Sequence, residues 1–193
     1  MTIVIRPPKL LFPAKVQITQ DTEFHTYGED MVQWMIDYSY KHETFNRSNA
    51  GGYQSNDKFY LEESFGQYLN RLSELITASV DEYCNGLLCE KYEIVLSNMW
   101  FNLNRKGNYN LEHTHPGCLL AGVFYLSVPE KAGPIIFFDP SAHCSSEIDE
   151  NCIEEYVPQP GEMLLFPAYL PHRVDPNLDD DQRVSLSFNL VPR

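Results

Sequence analysis

Apolar positions recur with a helical period up to about residue 90 and alternate beyond it. Between 30 and 42, Met31, Trp34, Met35 and Tyr38 fall on one helical face, with Glu29 and Asp30 where a helix start favours acidic groups. From 61 to 83, Leu61, Phe65, Tyr68, Leu69, Leu72, Leu75, Ile76 and Tyr83 trace the face of a longer helix, which Asn85-Gly86 ends. Ahead of both, "KLLFPAKVQIT" (9–19) predicts an edge strand broken by Pro13. Between them, "FNRSNAGGYQSND" (45–57) is rich in Asn, Ser and Gly and predicts a loop, polar and flexible enough to cover a site as a lid.

The rest reads as β. In residues 91–104, Trp100, Asn102 and Asn104 share one face, and Phe101 and Leu103 the other. Further strands are predicted at 109–115, 119–127, 134–139 and within "PQPGEMLLFP" (158–167), "YLPHRV" (169–174) and "RVSLSFNLV" (183–191), with an acidic loop over about 141–155. Two helices followed by closely spaced short strands imply an α+β chain, mainly β. Its β part should be a sandwich or jelly roll, with the N-terminal helices packed on one sheet.

Composition narrows the function. The chain has 193 residues, suited to one domain over 1–193, with a helical support region (1–90) and a β core (91–193). Its net charge is −13, from 27 acidic and 14 basic residues, which disfavours nucleic acid and anionic membrane surfaces as partners. No apolar run reaches transmembrane length, and "MTIVIRPPKLLFPAK" lacks a signal-peptide layout. The five cysteines, 84, 89, 118, 144 and 152, form no CxxC pair and read as reduced thiols of an intracellular, cytoplasmic protein; Cys144 and Cys152, which bracket the acidic loop, could pair.

Candidate chemistry begins at "HTHPG". On an extended strand, positions i and i+2 face the same way, so His113 and His115 can reach one point as two imidazole ligands. Alone, such a pair reads better as a surface or turn pair, helped by Pro116-Gly117. His172 and Arg183 change the balance. Arg183, Ser185, Ser187 and Asn189 share one face of the last strand, and an inward Arg is costly to bury without an anion. A carboxylate held by the guanidinium, with hydroxyl support from Ser185, would remove that cost. Asn102 and Asn104 could support the same ligand or equally bond neighbouring loops, and Tyr125, which core packing explains better, could offer its hydroxyl. His25, His42 and His143 have no partners in sequence.

The order of "SNAGGYQSND" (48–57), "WFNLNRKGNYN" (100–110), "HTHPGCLLAGVFYL" (113–126), "AGPIIFFDP" (132–140), "PGEMLLFPAYLPHRV" (160–174) and "RVSLSFNL" (183–190) resembles the 2-oxoglutarate- and iron(II)-dependent oxygenases, and within them a small family of bacteria and their phages. The resemblance implies a double-stranded β-helix, a jelly roll open at one end. It implies Fe(II), 2-oxoglutarate and O2 as reactants, and a dioxygenase, in most cases a hydroxylase, acting on a peptide or protein side chain or a small metabolite. Carried over, His113 and His172 are iron ligands, and Arg183 with Ser185 binds the far carboxylate of 2-oxoglutarate. This chain departs from the pattern at the middle ligand, where the superfamily has a carboxylate and this sequence has His115; Asp139 is the alternative. A competing reading is a cupin-like metal-binding module, or a metal dioxygenase without 2-oxoglutarate, neither of which needs Arg183.

Overall fold

The computed structural model describes residues 14–85, 93–140 and 152–193. Two antiparallel sheets form the body. The six-stranded sheet has the order β1 (Gln17–Gln20), β9 (Glu162–Pro167), β6 (Leu120–Ser127), β11 (Arg183–Pro192), β4 (Ile94–Asn104) and β3 (Tyr53–Gln54). The five-stranded sheet runs β2 (Asn49–Ala50), β5 (Tyr109–His113), β10 (His172–Val174), β7 (Ile135–Phe138) and β8 (Ile153–Tyr156). Two helices, α1 (Gly28–Ser39) and α2 (Gly66–Cys84), complete the fold.

The six-stranded sheet is buried on both faces. Phe101, Leu103, Phe124, Leu126, Met163, Leu165, Leu186 and Phe188 pack outward against Met31 and Met35 of α1 and Leu72 and Leu75 of α2. The alternate residues Ala121, Val123, Tyr125, Leu164 and Phe166 turn inward to Ile135 and Phe137 of the other sheet. This is why "LAGVFYL" reads as one apolar run rather than an alternation. Gly122 is forced by the outer layer: a Cβ there would lie 2.1 Å from the Phe188 ring.

The predicted jelly roll with helices on one sheet is what the structure shows, with local corrections. Strand β1 is an edge strand but covers only 17–20; the "KLLFP" part of that expectation lies outside the described residues, as do residues 91–92 and the expected Gly86 stop. The longer helix starts at Gly66, and Leu61, in a preceding 3-10 turn, is 70% exposed rather than on the buried face. The segment 45–57 is not simply a loop. Its strands β2 and β3 pair with β5 and β4 respectively, so a polar stretch is stitched into both sheets. Its short strands escape pattern reading because side chains complete them: the Asn49 amide donates to the Gly52 carbonyl, and the Arg47 amide N–H to Asn49 Oδ1. The acidic stretch ends in β8 rather than continuing as loop to 155. Cys84 and Cys118 are not in disulfides, but Cys152 is disulfide-bonded, contrary to the expectation that all five are reduced. The remaining stretch of the acidic loop, with His143, lies outside the described residues.

Candidate metal centre and anion pocket

Strands β4 and β11 run side by side in register, and their inward faces form a polar ladder. Its rungs are Arg183–Asn104, Ser185–Asn102, Ser187–Trp100 and Asn189–Asn98. The intervening rungs, Val184–Leu103, Leu186–Phe101 and Phe188–Met99, face the helices. Alternation alone thus assigns one face of two strands to the core and the other to chemistry.

Opposite the ladder stand the histidines. His113 ends β5, and His172 begins β10 directly across from it. His115 lies two residues past the end of β5, so the strand argument for a shared face does not apply to it as stated. Its backbone is held instead by a hydrogen bond from its N–H to the Ala168 carbonyl, 2.8 Å. A β-bulge accounts for the aim of His113: His172 pairs with His113 while Val174 pairs with Asn110, so β5 carries one extra residue. That bulge lets Asn110 and His113, of opposite parity, line the same cavity.

The three imidazoles offer ligand nitrogens that all lie within 4.8 Å of one another. Nε2 of His115 and Nε2 of His172 are 3.4 Å apart. Nδ1 of His113 is 2.7 Å from the Leu111 carbonyl, and Nδ1 of His172 is 3.0 Å from the Leu170 carbonyl. A carbonyl can only accept, so each Nδ1 carries the proton and each Nε2 presents its lone pair. Burial keeps all three rings neutral. It lowers His113, lowers His115 to about 4 with help from neighbouring His113, and lowers His172 to about 3, where the other two histidines add to the effect. Neutral nitrogens converging at this distance fit a first-row cation. Asp139 is exposed and is not part of this cluster; Glu112, as alternation requires, is also exposed.

At the far end of the same cavity lies Arg183, 2% exposed. Its Nη1 donates to the carbonyls of Gly133 and Asp175, at 3.0 and 3.1 Å, while its Nη2 is buried with no partner. No carboxylate pairs with it among the described residues. Burial lowers its pKa, with Tyr125 and Asp175 opposing. Around it, the Tyr125 hydroxyl and Asn102 Oδ1 are buried and unpartnered, and Ser185 is 9% exposed. Burial raises Tyr125, so its hydroxyl keeps its proton and can donate. Two orphaned donors, Nη2 and the tyrosine O–H, lining one cavity fit an anion. Asn104 sits at the same level, but its amide donates to Asn110 Oδ1 at 2.9 Å and it serves the strand framework.

Sequence reasoning missed Trp100, Asn110 and Ser48 as lining residues, and the carbonyls of Gly133 and Asp175 as the hold on Arg183. Only Trp100 carried a signal, its place on the face of Asn102. His25 and His42 are exposed, consistent with no role in the site.

The chain is thus a double-stranded β-helix protein with a three-histidine centre beside a buried arginine. Residues 98–189 match a family model described as "Putative 2OG-Fe(II) oxygenase". Over those residues, just under half of the chain, the sequence is similar to the 2-oxoglutarate- and iron(II)-dependent oxygenases. Solved structures share the fold at low identity. A prolyl hydroxylase from Trichoplax adhaerens, in complex with a hypoxia-inducible-factor peptide, aligns over 91% of this chain and 83% of its own (TM-score 0.68, 15% identity). HygX from Streptomyces hygroscopicus, with nickel and 2-oxoglutarate bound, aligns over 93% and 83% (TM-score 0.65, 13%). A Pseudomonas putida prolyl-4-hydroxylase aligns over 92% and 93% (TM-score 0.60, 17%). No curated protein matches the chain in sequence.

Proposed function

We propose that the chain hydroxylates a substrate C–H bond, with His113, His115 and His172 holding Fe(II) and Arg183 holding 2-oxoglutarate. The observation that carries this reading is Arg183: a buried cation without a carboxylate, in the same cavity as three neutral histidines. A cupin-like module needs the histidines but has no use for a cation at that depth. The far carboxylate of 2-oxoglutarate supplies the missing anion, with Nη2, the Tyr125 hydroxyl and Ser185 as donors. Asn102 Oδ1, buried without a partner, would accept from a donor of the bound substrate.

Iron and 2-oxoglutarate together supply the oxidation: O2 gives one atom to succinate, released with CO2, and one to the substrate, R–H becoming R–OH. The protein's own part is placement. Nδ1–H bonds to Leu111 and Leu170 fix two ring orientations. Trp100 and Phe166 wall the site against water. The two short strands of 49–54 brace its mouth across both sheets. With His115 in place of a carboxylate, the ligand set is neutral, so the site holds one more unit of positive charge than a two-histidine, one-carboxylate site. Three-histidine ligation accounts for the cluster without Asp139. The substrate is a peptide or protein side chain or a small metabolite.

Anaerobic addition of iron(II) and 2-oxoglutarate should give a weak visible charge-transfer band, absent in Arg183→Ala. A band that survives this substitution unchanged sinks the 2-oxoglutarate assignment. His115→Ala should weaken metal binding more than about 100-fold, beyond the loss typical of outer partners; unchanged affinity moves the third ligand to Asp139.

A further inference from the structure

Trp100, His113 and His115 line two cavities: the inner one that ends at Arg183, and an outer one of about 520 Å³. The volume suits a small molecule or one long side chain. The outer wall continues the polar ladder with the rung Asn98–Asn189, and Gln54 of β3, which pairs with Asn102, lines the same cavity.

This wall is short of donors. Gln54 is 2% exposed and its Oε1 has no partner; Asn189 is 8% exposed and its Oδ1 has none either. The Asn189 amide N–H is already committed to Asn98 Oδ1, at 2.9 Å. Two buried carbonyl oxygens with nothing to accept carry a desolvation cost that a donor-bearing ligand would remove. The charged groups at the rim point the same way. Glu112 lines the cavity and forms no ion pair among the described residues, whereas Arg47, the cation on that rim, faces Asp57 at 3.7 Å. The overall charge of −13 adds attraction for a cation at long range. Trp100 and Leu111 add apolar surface to the same cavity, which suits methylene groups.

We propose that the outer cavity binds the substrate by an alkylammonium or guanidinium group, accepted by Gln54 Oε1 and Asn189 Oδ1 and attracted by Glu112, so that a methylene of the attached chain lies at the metal. The statement that this ligand is the substrate rests on the oxygenase reading above. The same chemistry comes from free amines or from lysine and arginine side chains of a polypeptide.

Calorimetric titration of the full chain separates these cases. The probes are agmatine and 1,5-diaminopentane for free amines, and Nα-acetyl-lysine N-methylamide and Nα-acetyl-arginine N-methylamide for side chains. At least one should bind, and at least tenfold more tightly than the uncharged Nα-acetyl-norleucine N-methylamide. Gln54→Leu and Asn189→Leu should each weaken it at least fivefold, while Gln54→Glu, which keeps an acceptor, should retain or tighten it. The idea is overturned by any of three results: no probe binds, the norleucine probe binds equally, or Gln54→Glu loses binding as Gln54→Leu does. Arg183→Ala distinguishes this failure from failure of the oxygenase reading. It should leave probe binding intact while removing 2-oxoglutarate binding. If the wild-type chain binds the amine but never 2-oxoglutarate, the cavity stands and the oxygenase assignment falls.

Discussion

Two arginines of this chain meet opposite surroundings. Arg71, on α2, reaches Asp21 just after β1; its Nη2 donates to Asp21 Oδ1, its Nε to Oδ2 at 3.3 Å, and its Nη1 to Glu74 at 3.2 Å. The Asp21 side chain is fully buried, and the Tyr27 hydroxyl and the Glu23 N–H donate to it as well. Arg183 is more deeply buried than Arg71, yet it has only two carbonyls and a free Nη2. The Asp21 hydrogen bond raises Arg71, whereas burial lowers Arg183. A buried charge whose partners all come from the chain ties the fold together; one whose partner is missing implies a ligand.

Substitution should separate the two roles. The largest effect is expected for Arg183→Leu. Loss of a desolvated charge pair of about 3–5 kcal/mol corresponds to more than about 100-fold in 2-oxoglutarate affinity. Thermal unfolding of the ligand-free variant should be unchanged or shifted upward, because an uncompensated charge has been removed. A drop in stability with binding retained would place Arg183 beside Arg71 as a structural residue. Asp21→Ala should do the reverse. It should cost about 2–3 kcal/mol in denaturant unfolding, at the low end for a broken buried pair because Arg71 is 28% exposed, and leave 2-oxoglutarate affinity as it was.

Gly133→Ala gives a smaller, indirect test. A Cβ at Gly133 would lie 2.4 Å from the Asp175 carbonyl oxygen, and these two residues supply both carbonyls that hold Arg183. Parting them should tilt the guanidinium and weaken 2-oxoglutarate about tenfold, roughly 1.4 kcal/mol, in the same titration. The smallest effect is in pH. Burial pushes Asp21 up, but the Arg71 bond, the Tyr27 hydroxyl and the Glu23 N–H outweigh it and hold the carboxyl below its usual value. A depressed folded pKa means stability present above the unfolded value of about 3.9 and lost as pH falls through the folded one. The stability gap between wild type and Asp21→Ala should therefore be constant from neutral pH to about 4 and narrow below it; a gap that persists at lower pH would mean that packing, not charge, holds this corner.

Much of this was legible in the chain itself. Period-2 alternation in β4 and β11 assigned each residue to the core or to the polar face, because a strand leaves a side chain only two directions. It put Arg183 with Ser185 on one face of β11 and Asn102 with Trp100 on one face of β4, and only the register between the strands joined the two faces. Helical periodicity likewise identified α1 and most of α2, whose apolar stripes had to meet a sheet. Local pattern could not supply what depends on a distant partner. The strands of 49–54 exist only because β4 and β5 offer edges, and the Asp21–Arg71 pair joins residues 50 positions apart.

The histidines mark the boundary most sharply. Sequence supplied three imidazoles and a shared-face argument that fits only a straight strand. The fold delivered the cluster by other means: an extra residue in β5 that turns His113 inward, an Ala168 carbonyl that holds His115 beyond the strand end, and a register that sets His172 opposite His113. Residue type and alternation fix which groups a strand can present. Where three such groups converge is set by hydrogen-bond register between strands distant in sequence, and that is a property of the folded chain alone.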